Sequence, residues 1–353
     1  MKIIIDNIIF SLQKSGGISV VWKEHLSRLL AEPIISDLIS IYEFNNAFDN
    51  IFRKELNLKK NIIHTEIDKH LAIKRYLSPN IKHTKDDIFH SSYYRYLKGA
   101  RNITTIHDFT YEYYVKGIKQ EVHTWQKKQA VRNSDKIICI SNNTRDDLLR
   151  FIPQIDSNKI EVIYNGVNEG FYQLKTPQKI IGFPYDTKEY ILFVGDRKSP
   201  YKQFDLAIKT AAFSKKPLAI VGRSITAEEQ IKLQGIKYYV LTGVSTETLN
   251  ILYNNAYCLL YPSLYEGFGI PVIEAQRAGC PVIAGANSSI IEVIGKGGIA
   301  LEKLNVSNIV DSLKALESSA FRNDIIQEGL NNAQRFSWDK TYEQTLKVYK
   351  SLM

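Results

Sequence analysis

Short apolar runs recur along the whole chain, separated by stretches of helical periodicity and by turns bearing glycine or serine. In the first half the runs are 2–5, 87–90, 104–106, 137–140 and 160–163. In the second half they are 190–194, 218–221, 238–241, 258–261 and 282–284. Continuous apolar strands alternating with helices predict parallel sheets buried on both faces. Ten such strands are too many for one small domain. They predict an α/β chain of two doubly wound, Rossmann-like domains with parallel sheets facing a central cleft. Segment 165–188 holds Gly, Pro and polar residues without clear periodicity, and it is expected to be the linker. The expected division is 1–170, 171–337 and a final amphipathic helix, 338–353, packing back on the first half. Ligands of such sheets bind outside the carboxyl ends of the strands, so the loops that follow the apolar runs should hold the chemistry.

Composition narrows the class. At 353 residues, with 44% hydrophobic and 24% charged positions, the chain has the make-up of a soluble globular protein. No run reaches the roughly 20 apolar residues of a membrane span. The opening MKIIIDNIIFSL is interrupted by Asp6 and Asn7, and reads as a buried first strand rather than a leader. Three cysteines, Cys139, Cys258 and Cys280, lie in apolar surroundings without zinc-like spacing. They point to a reduced, cytoplasmic protein without a disulfide framework.

The net charge of +9 points to an acidic partner. The basic residues are scattered and no nucleic-acid motif accompanies them, so a phosphorylated substrate or the anionic inner face of a membrane is expected, and no nucleic acid. Segment 51–77 is the densest in basic residues, with Arg53, Lys54, Lys59, Lys60, Lys69, Lys74 and Arg75 against Glu55, Glu66 and Asp68. It reads either as a peripheral membrane contact or as a solvated face above ordinary core residues, the second being preferred.

The most informative segment is 261–282, YPSLYEGFGIPVIEAQRAGCPV. It reads as strand, glycine-rich loop, short helix and strand, with Pro271 at the helix start and Gly279 at its stop. Such a loop gathers backbone N–H groups and the positive end of a helix at one point, which suits a diphosphate. Glu266 before the helix and Glu274 one turn inside it suit hydroxyl groups on either side of that anion. After the 190–194 run, Gly195 opens a loop in which Arg197 and Lys202 suit the same diphosphate, Arg as a fork and Lys as a point charge. Thr242, Gly243 and Val244 follow another strand, where their backbone can hold a base, while Ser245 or Thr246 caps the next helix.

The first half offers less specific features. Gly17, in a Ser-Gly-Gly-Ile-Ser turn between strand and helix, allows close backbone approach but lacks the dinucleotide spacing. His107 ends a strand and suits a sugar hydroxyl or proton traffic, whereas His90 reads as a core histidine. Tyr93, Tyr94 and Arg95 suit the lining of an acceptor cleft. Ser141 reads equally as an acceptor contact and as an N-cap.

Taken together, the stretches GGIS, FHSSYYR, TTIHDFTYE, IICISNNTRDDL, VIYNGV, ILFVGDRKSPYKQFD and PSLYEGFGIPVIEAQRAGCPVIA resemble the retaining GT-B glycosyltransferases of family 4, in particular the polysaccharide mannosyltransferase-like branch. The resemblance covers nearly the whole chain. It implies that Glu266 holds a donor-sugar hydroxyl near Gly267, Phe268, Gly269 and Ile270, and that Glu274 binds the ribose. It implies further that Arg197 and Lys202 neutralise the leaving diphosphate without a metal or other cofactor. Gly17 and His107 would approach the donor from the first domain. The implied reaction moves a sugar, mannose from GDP-mannose, to a glycan or lipid-linked glycan with retention, in surface polysaccharide synthesis such as that of O-antigen. A sugar-nucleotide epimerase of the same fold and a non-catalytic partner in glycan assembly are the alternatives.

Overall fold

The computed structural model describes residues 1–58 and 62–353, and the chain divides into two compact units. The first comprises Met1–Asn165 and Trp338–Met353, the second Gly166–Ser337.

The sheet of the first unit has seven parallel strands: β1 (Ile3–Asp6), β2 (Ile39–Phe44), β3 (Ile63–Glu66), β4 (Ile88–Ser91), β5 (Arg101–Ile106), β6 (Lys136–Cys139) and β7 (Ile160–Val162). Their spatial order is β3-β2-β1-β4-β5-β6-β7, with Ile5 opposite Ile41 on one side and His90 on the other. Every residue of β1 is buried, as a central strand covered on both faces requires. One helical layer includes Gly17–Leu29, which inserts Trp22, Leu26 and Leu29 into a core with Ile3, Ile5 and Ile41. The closing helix Trp338–Ser351 joins that core through Val348 and Tyr349.

The second unit holds six parallel strands: β8 (Ile191–Val194), β9 (Leu218–Val221), β10 (Tyr238–Leu241), β11 (Cys258–Tyr261), β12 (Val282–Gly285) and β13 (Ile299–Leu301), in the order β10-β9-β8-β11-β12-β13. The order reverses between β1 and β4 in one sheet and between β8 and β11 in the other. The loops after β8 and β11 therefore diverge and leave a crevice between them, the usual ligand position in such sheets.

Three features depart from the sequence expectations. Strands β2, β3 and β13 add to the ten runs. The segment expected to be a linker is held by the second unit. Asn250 Oδ1 accepts from Tyr172 N at 3.1 Å, Asn254 Oδ1 from Leu174 N at 2.8 Å, and Asn255 Nδ2 donates to Gln178 O at 2.6 Å. The basic segment is not a uniformly solvated face. Arg53 is fully buried and forks onto Glu43 through two bonds of 2.7 Å, while Lys59 and Lys60 lie outside the described residues. Among the described residues no helix is long and apolar enough to cross a membrane.

Candidate active site

The loops after β8 and β11 bring two of the expected residues together. Lys202 Nζ donates to Glu266 Oε1 at 2.6 Å, and both side chains are largely but not fully enclosed, at 16% and 12% exposure. Burial alone would lower the lysine pKa, but the adjacent carboxylate outweighs it and raises the value, so Lys202 stays charged. Tyr261 and Tyr201 place their rings 5.8 and 5.4 Å from the ammonium.

Beyond Glu266 the chain turns into the helix Ile270–Arg277 through Gly269, which adopts φ +100°. That conformation favours glycine, and a Cβ there would also lie 2.6 Å from Ile290 Cδ1, which would have to move. Phe268 is buried edge-on against Phe336, and Pro271 occupies the first turn of the helix. Gly267 and Ile270 complete the bend. One turn on, Glu274 Oε2 accepts from the Tyr253 hydroxyl at 3.0 Å. Burial pushes the Glu274 carboxyl up to about 7, against a smaller lowering by that hydrogen bond.

Arg197 behaves differently from Lys202, and its expected role as a fork toward a diphosphate is corrected. Its Nε donates to Glu229 Oε1 at 3.1 Å, and its Nη2 to Arg223 O at 2.7 Å, Ser224 O at 3.1 Å and Glu229 Oε2 at 3.4 Å. The guanidinium is closed off from solvent, and Nη1 has no partner among the described residues. Gly195 follows β8 with its N–H on Val221 O. Thr242, Gly243 and Val244 follow β10, the edge strand two places from β8, and Ser245 caps the helix after them by accepting from Thr248 N at 3.1 Å.

In the first unit, Gly17 opens the helix Gly17–Leu29, is exposed, and has open space where a Cβ would stand. His107 follows β5, is buried, and has Nε2 without a partner among the described residues. Burial lowers its pKa to about 4, so it is neutral at pH 7. His90 is a core histidine, its Nδ1 2.7 Å from the Tyr349 hydroxyl and its Nε2 2.9 Å from Thr105 Oγ1.

The expected acceptor lining is mostly internal. Arg95 is buried and pairs with Asp6 at 3.2 Å, and Tyr94 is buried. Half-buried Tyr93 sets its hydroxyl 2.8 Å from His123 Nε2. Ser141 is fully buried and caps the helix Asn142–Phe151 by accepting from Thr144 N at 3.0 Å. The charge on Arg95 serves a buried carboxylate, and the Ser141 hydroxyl serves a helix end.

Two family models match the chain: Glycosyltransferase Family 4 over residues 15–171, and Glycosyl transferases group 1 over residues 176–332. The chain belongs to the family 4 glycosyltransferases, of GT-B fold. It is 29% identical over 245 residues to the O-antigen chain mannosyltransferase RfbU of Salmonella typhimurium, covering 68% of this chain and 67% of that protein. It is 37% identical over 110 residues to the O-antigen chain mannosyltransferase B of Escherichia coli, covering 31% and 29%. Its fold matches Anabaena HepE in complex with UDP and glucose at a TM-score of 0.70, with 15% identity over 99% of this chain and 100% of that one.

Residues that sequence reasoning passed over hold the Glu266 turn and the neighbouring side chains in place. Ser288 Oγ accepts from Glu266 N at 3.0 Å, and Ser289 Oγ donates to Glu266 O at 2.8 Å and Phe268 O at 3.0 Å. The signal for them was the run of small polar residues directly after β12, at a strand's carboxyl end. Tyr253 and Glu229 carried no such signal, because each sits within an ordinary helical pattern and meets its partner only in the fold.

Proposed function

We propose that this glycosyltransferase transfers mannose from GDP-mannose to a hydroxyl of a glycan or lipid-linked glycan, with retention, in the assembly of a surface polysaccharide. The observation that carries the reading is the Lys202–Glu266 pair at 2.6 Å beside the Gly269 turn. An ammonium has three donors, and one on Glu266 leaves others to meet the diphosphate as it departs. Glu266, held on its backbone by Ser288 and Ser289, orients that ammonium and accepts from a donor-sugar hydroxyl. Glu274, ionised when the ribose hydroxyls bind, takes the nucleoside end.

Front-face attack by the acceptor hydroxyl needs no protein nucleophile. The C–O bond to the diphosphate breaks as the acceptor oxygen bonds to the anomeric carbon, and the leaving phosphate takes the acceptor proton. The protein supplies position and charge stabilisation. His107, neutral at pH 7, is suited to a hydrogen bond with the donor sugar rather than to charge neutralisation. The names of the Salmonella and E. coli relatives support mannose and an O-antigen-like acceptor. The inner membrane face suits a basic chain handling a lipid-linked acceptor.

A thermal-shift screen against GDP, UDP, dTDP and ADP, followed by transfer from the matching sugar nucleotide, tests the donor. GDP is expected to give the largest rise in Tm, and GDP-mannose to give an α-linked product. A larger shift with another nucleotide, or a β-linked product, would overturn the donor or the stereochemistry respectively.

A further inference from the structure

Three side chains that line one cavity in the first unit each hold a buried polar atom for which the described residues supply no partner. The cavity has a volume of about 40 Å³, and its apolar walls include Trp22, Ile138 and Ile163. His107, Trp338 and Tyr342 also line it, and His107 Nε2, Trp338 Nε1 and the Tyr342 hydroxyl have no donor or acceptor from the described residues. His107 and Trp338 are each 5% exposed.

Three such side chains around one cavity are unusual, because a buried polar atom left unpaired is costly. They are also chemically matched. The indole N–H only donates, whereas the phenol and a neutral imidazole nitrogen can each donate or accept. A space of this size exceeds the roughly 10–15 Å³ that one water needs, and three polar groups are enough to hold it there. Trp338 and Tyr342 lie one turn apart on the helix Trp338–Ser351, and the docking of that helix is fixed independently. Thr341 Oγ1 donates to Tyr164 O at 2.7 Å, and the Tyr349 hydroxyl lies 3.0 Å from His25 Nε2 and 2.7 Å from His90 Nδ1.

We propose that this cavity is a hydration site, in which bound water joins Trp338 and Tyr342 of the closing helix to His107 Nε2. Trp338 and Tyr342 are thereby positioning residues. A water that must accept from the indole N–H has a fixed orientation, which sets the ring plane of His107 and selects one of its two neutral tautomers. The closing helix, more than 200 residues away in sequence, thus belongs to the machinery of the first unit. The catalytic part of this inference rests on the proposed role of His107 in transfer; the hydration part does not.

Three readouts separate the two parts. A high-resolution crystal structure is expected to show ordered water within hydrogen-bond distance of His107 Nε2, Trp338 Nε1 and the Tyr342 hydroxyl; a dry cavity overturns the proposal. The ring ¹⁵N spectrum of His107 is expected to show a single tautomer in the wild-type protein and an averaged one in Tyr342→Phe, which keeps the shape of the side chain. Trp338→Phe is the second variant, should Tyr342→Phe fail to fold. Turnover in the folded variant is expected to fall about tenfold with the donor KM unchanged, well inside the hundredfold that misplacing a reacting group can cost. An unchanged spectrum and unchanged turnover would overturn the positioning role. If His107→Ala keeps full transfer while the water and tautomer results hold, the reading of His107 in the reaction fails and the hydration site stands.

Discussion

Arg197 and Lys202 leave the same loop five residues apart, and each meets a glutamate, yet the two pairs are built for different ends. The Arg197–Glu229 pair is closed over: the guanidinium is fully shielded, and its Nε and Nη2 are spent on Glu229 and on two backbone carbonyls. Glu229 is also the capping-box residue of the helix Ala227–Lys232, and it takes a second bond from Arg223 Nη2 at 2.8 Å. The Lys202–Glu266 pair is a single contact at the crevice between β8 and β11, and the lysine keeps its other protons. A cation that is shielded from solvent and has most of its donors engaged supports a loop, whereas an accessible one with donors to spare can meet a ligand. Sequence spacing cannot separate these outcomes, because both residues follow one strand and both are followed by glutamates.

The largest effect that would break this contrast is on transfer. Lys202→Ala is expected to lower kcat/KM by about 10²–10³, the loss typical of removing one charge-stabilising group, with Tm little changed. Steady-state kinetics on the folded variant check it, and near wild-type activity would remove Lys202 from the site. The next effect is on stability. Arg197→Ala strips a buried carboxylate of one partner while Arg223 and Thr226 remain on it, and should cost about 1–3 kcal/mol in chemical denaturation. A cost below about 1 kcal/mol would mean that Arg197 is available for ligands after all.

The smallest expected effect is that of pH at Glu274. Its folded pKa of about 7 stands above the ordinary 4.5, so between those values the folded state holds a proton that the unfolded state releases. This stabilisation is complete below pH 4.5 and is lost as pH rises through about 7, a change on the order of 3 kcal/mol. Glu274→Gln should remove this component of the pH dependence. It should also weaken nucleotide binding, since the neutral amide is a poorer acceptor for ribose hydroxyls. Urea denaturation of both proteins across pH 5–8 checks the sign; parallel curves would contradict it.

The parts that were legible share one physical basis. Central strands such as β1, β8 and β11 are apolar on both faces, and the glycine turn at Gly269 with Pro271 after it leaves a local mark. The missed strands lack that mark. β3 is an edge strand with mostly exposed residues, β13 has three residues at the other sheet's edge, and β2 carries Glu43, a charge normally assigned to solvent. Buried ion pairs account for most of the remaining errors at the site. Arg53 with Glu43, Arg95 with Asp6 and Arg197 with Glu229 pair residues 10, 89 and 32 positions apart, and composition counts each arginine among the surface charges. Their partners are chosen by the fold, through contacts that the local hydrophobic pattern does not mark.

The contrast between the two cations is tested most directly by calorimetric titration of nucleoside diphosphate and nucleoside monophosphate into wild-type protein, Lys202→Ala and Arg197→Lys. The second phosphate is expected to add affinity in the wild-type protein and in Arg197→Lys, and to add almost none in Lys202→Ala. Retention of that increment in Lys202→Ala, with its loss in Arg197→Lys, would contradict the assignment.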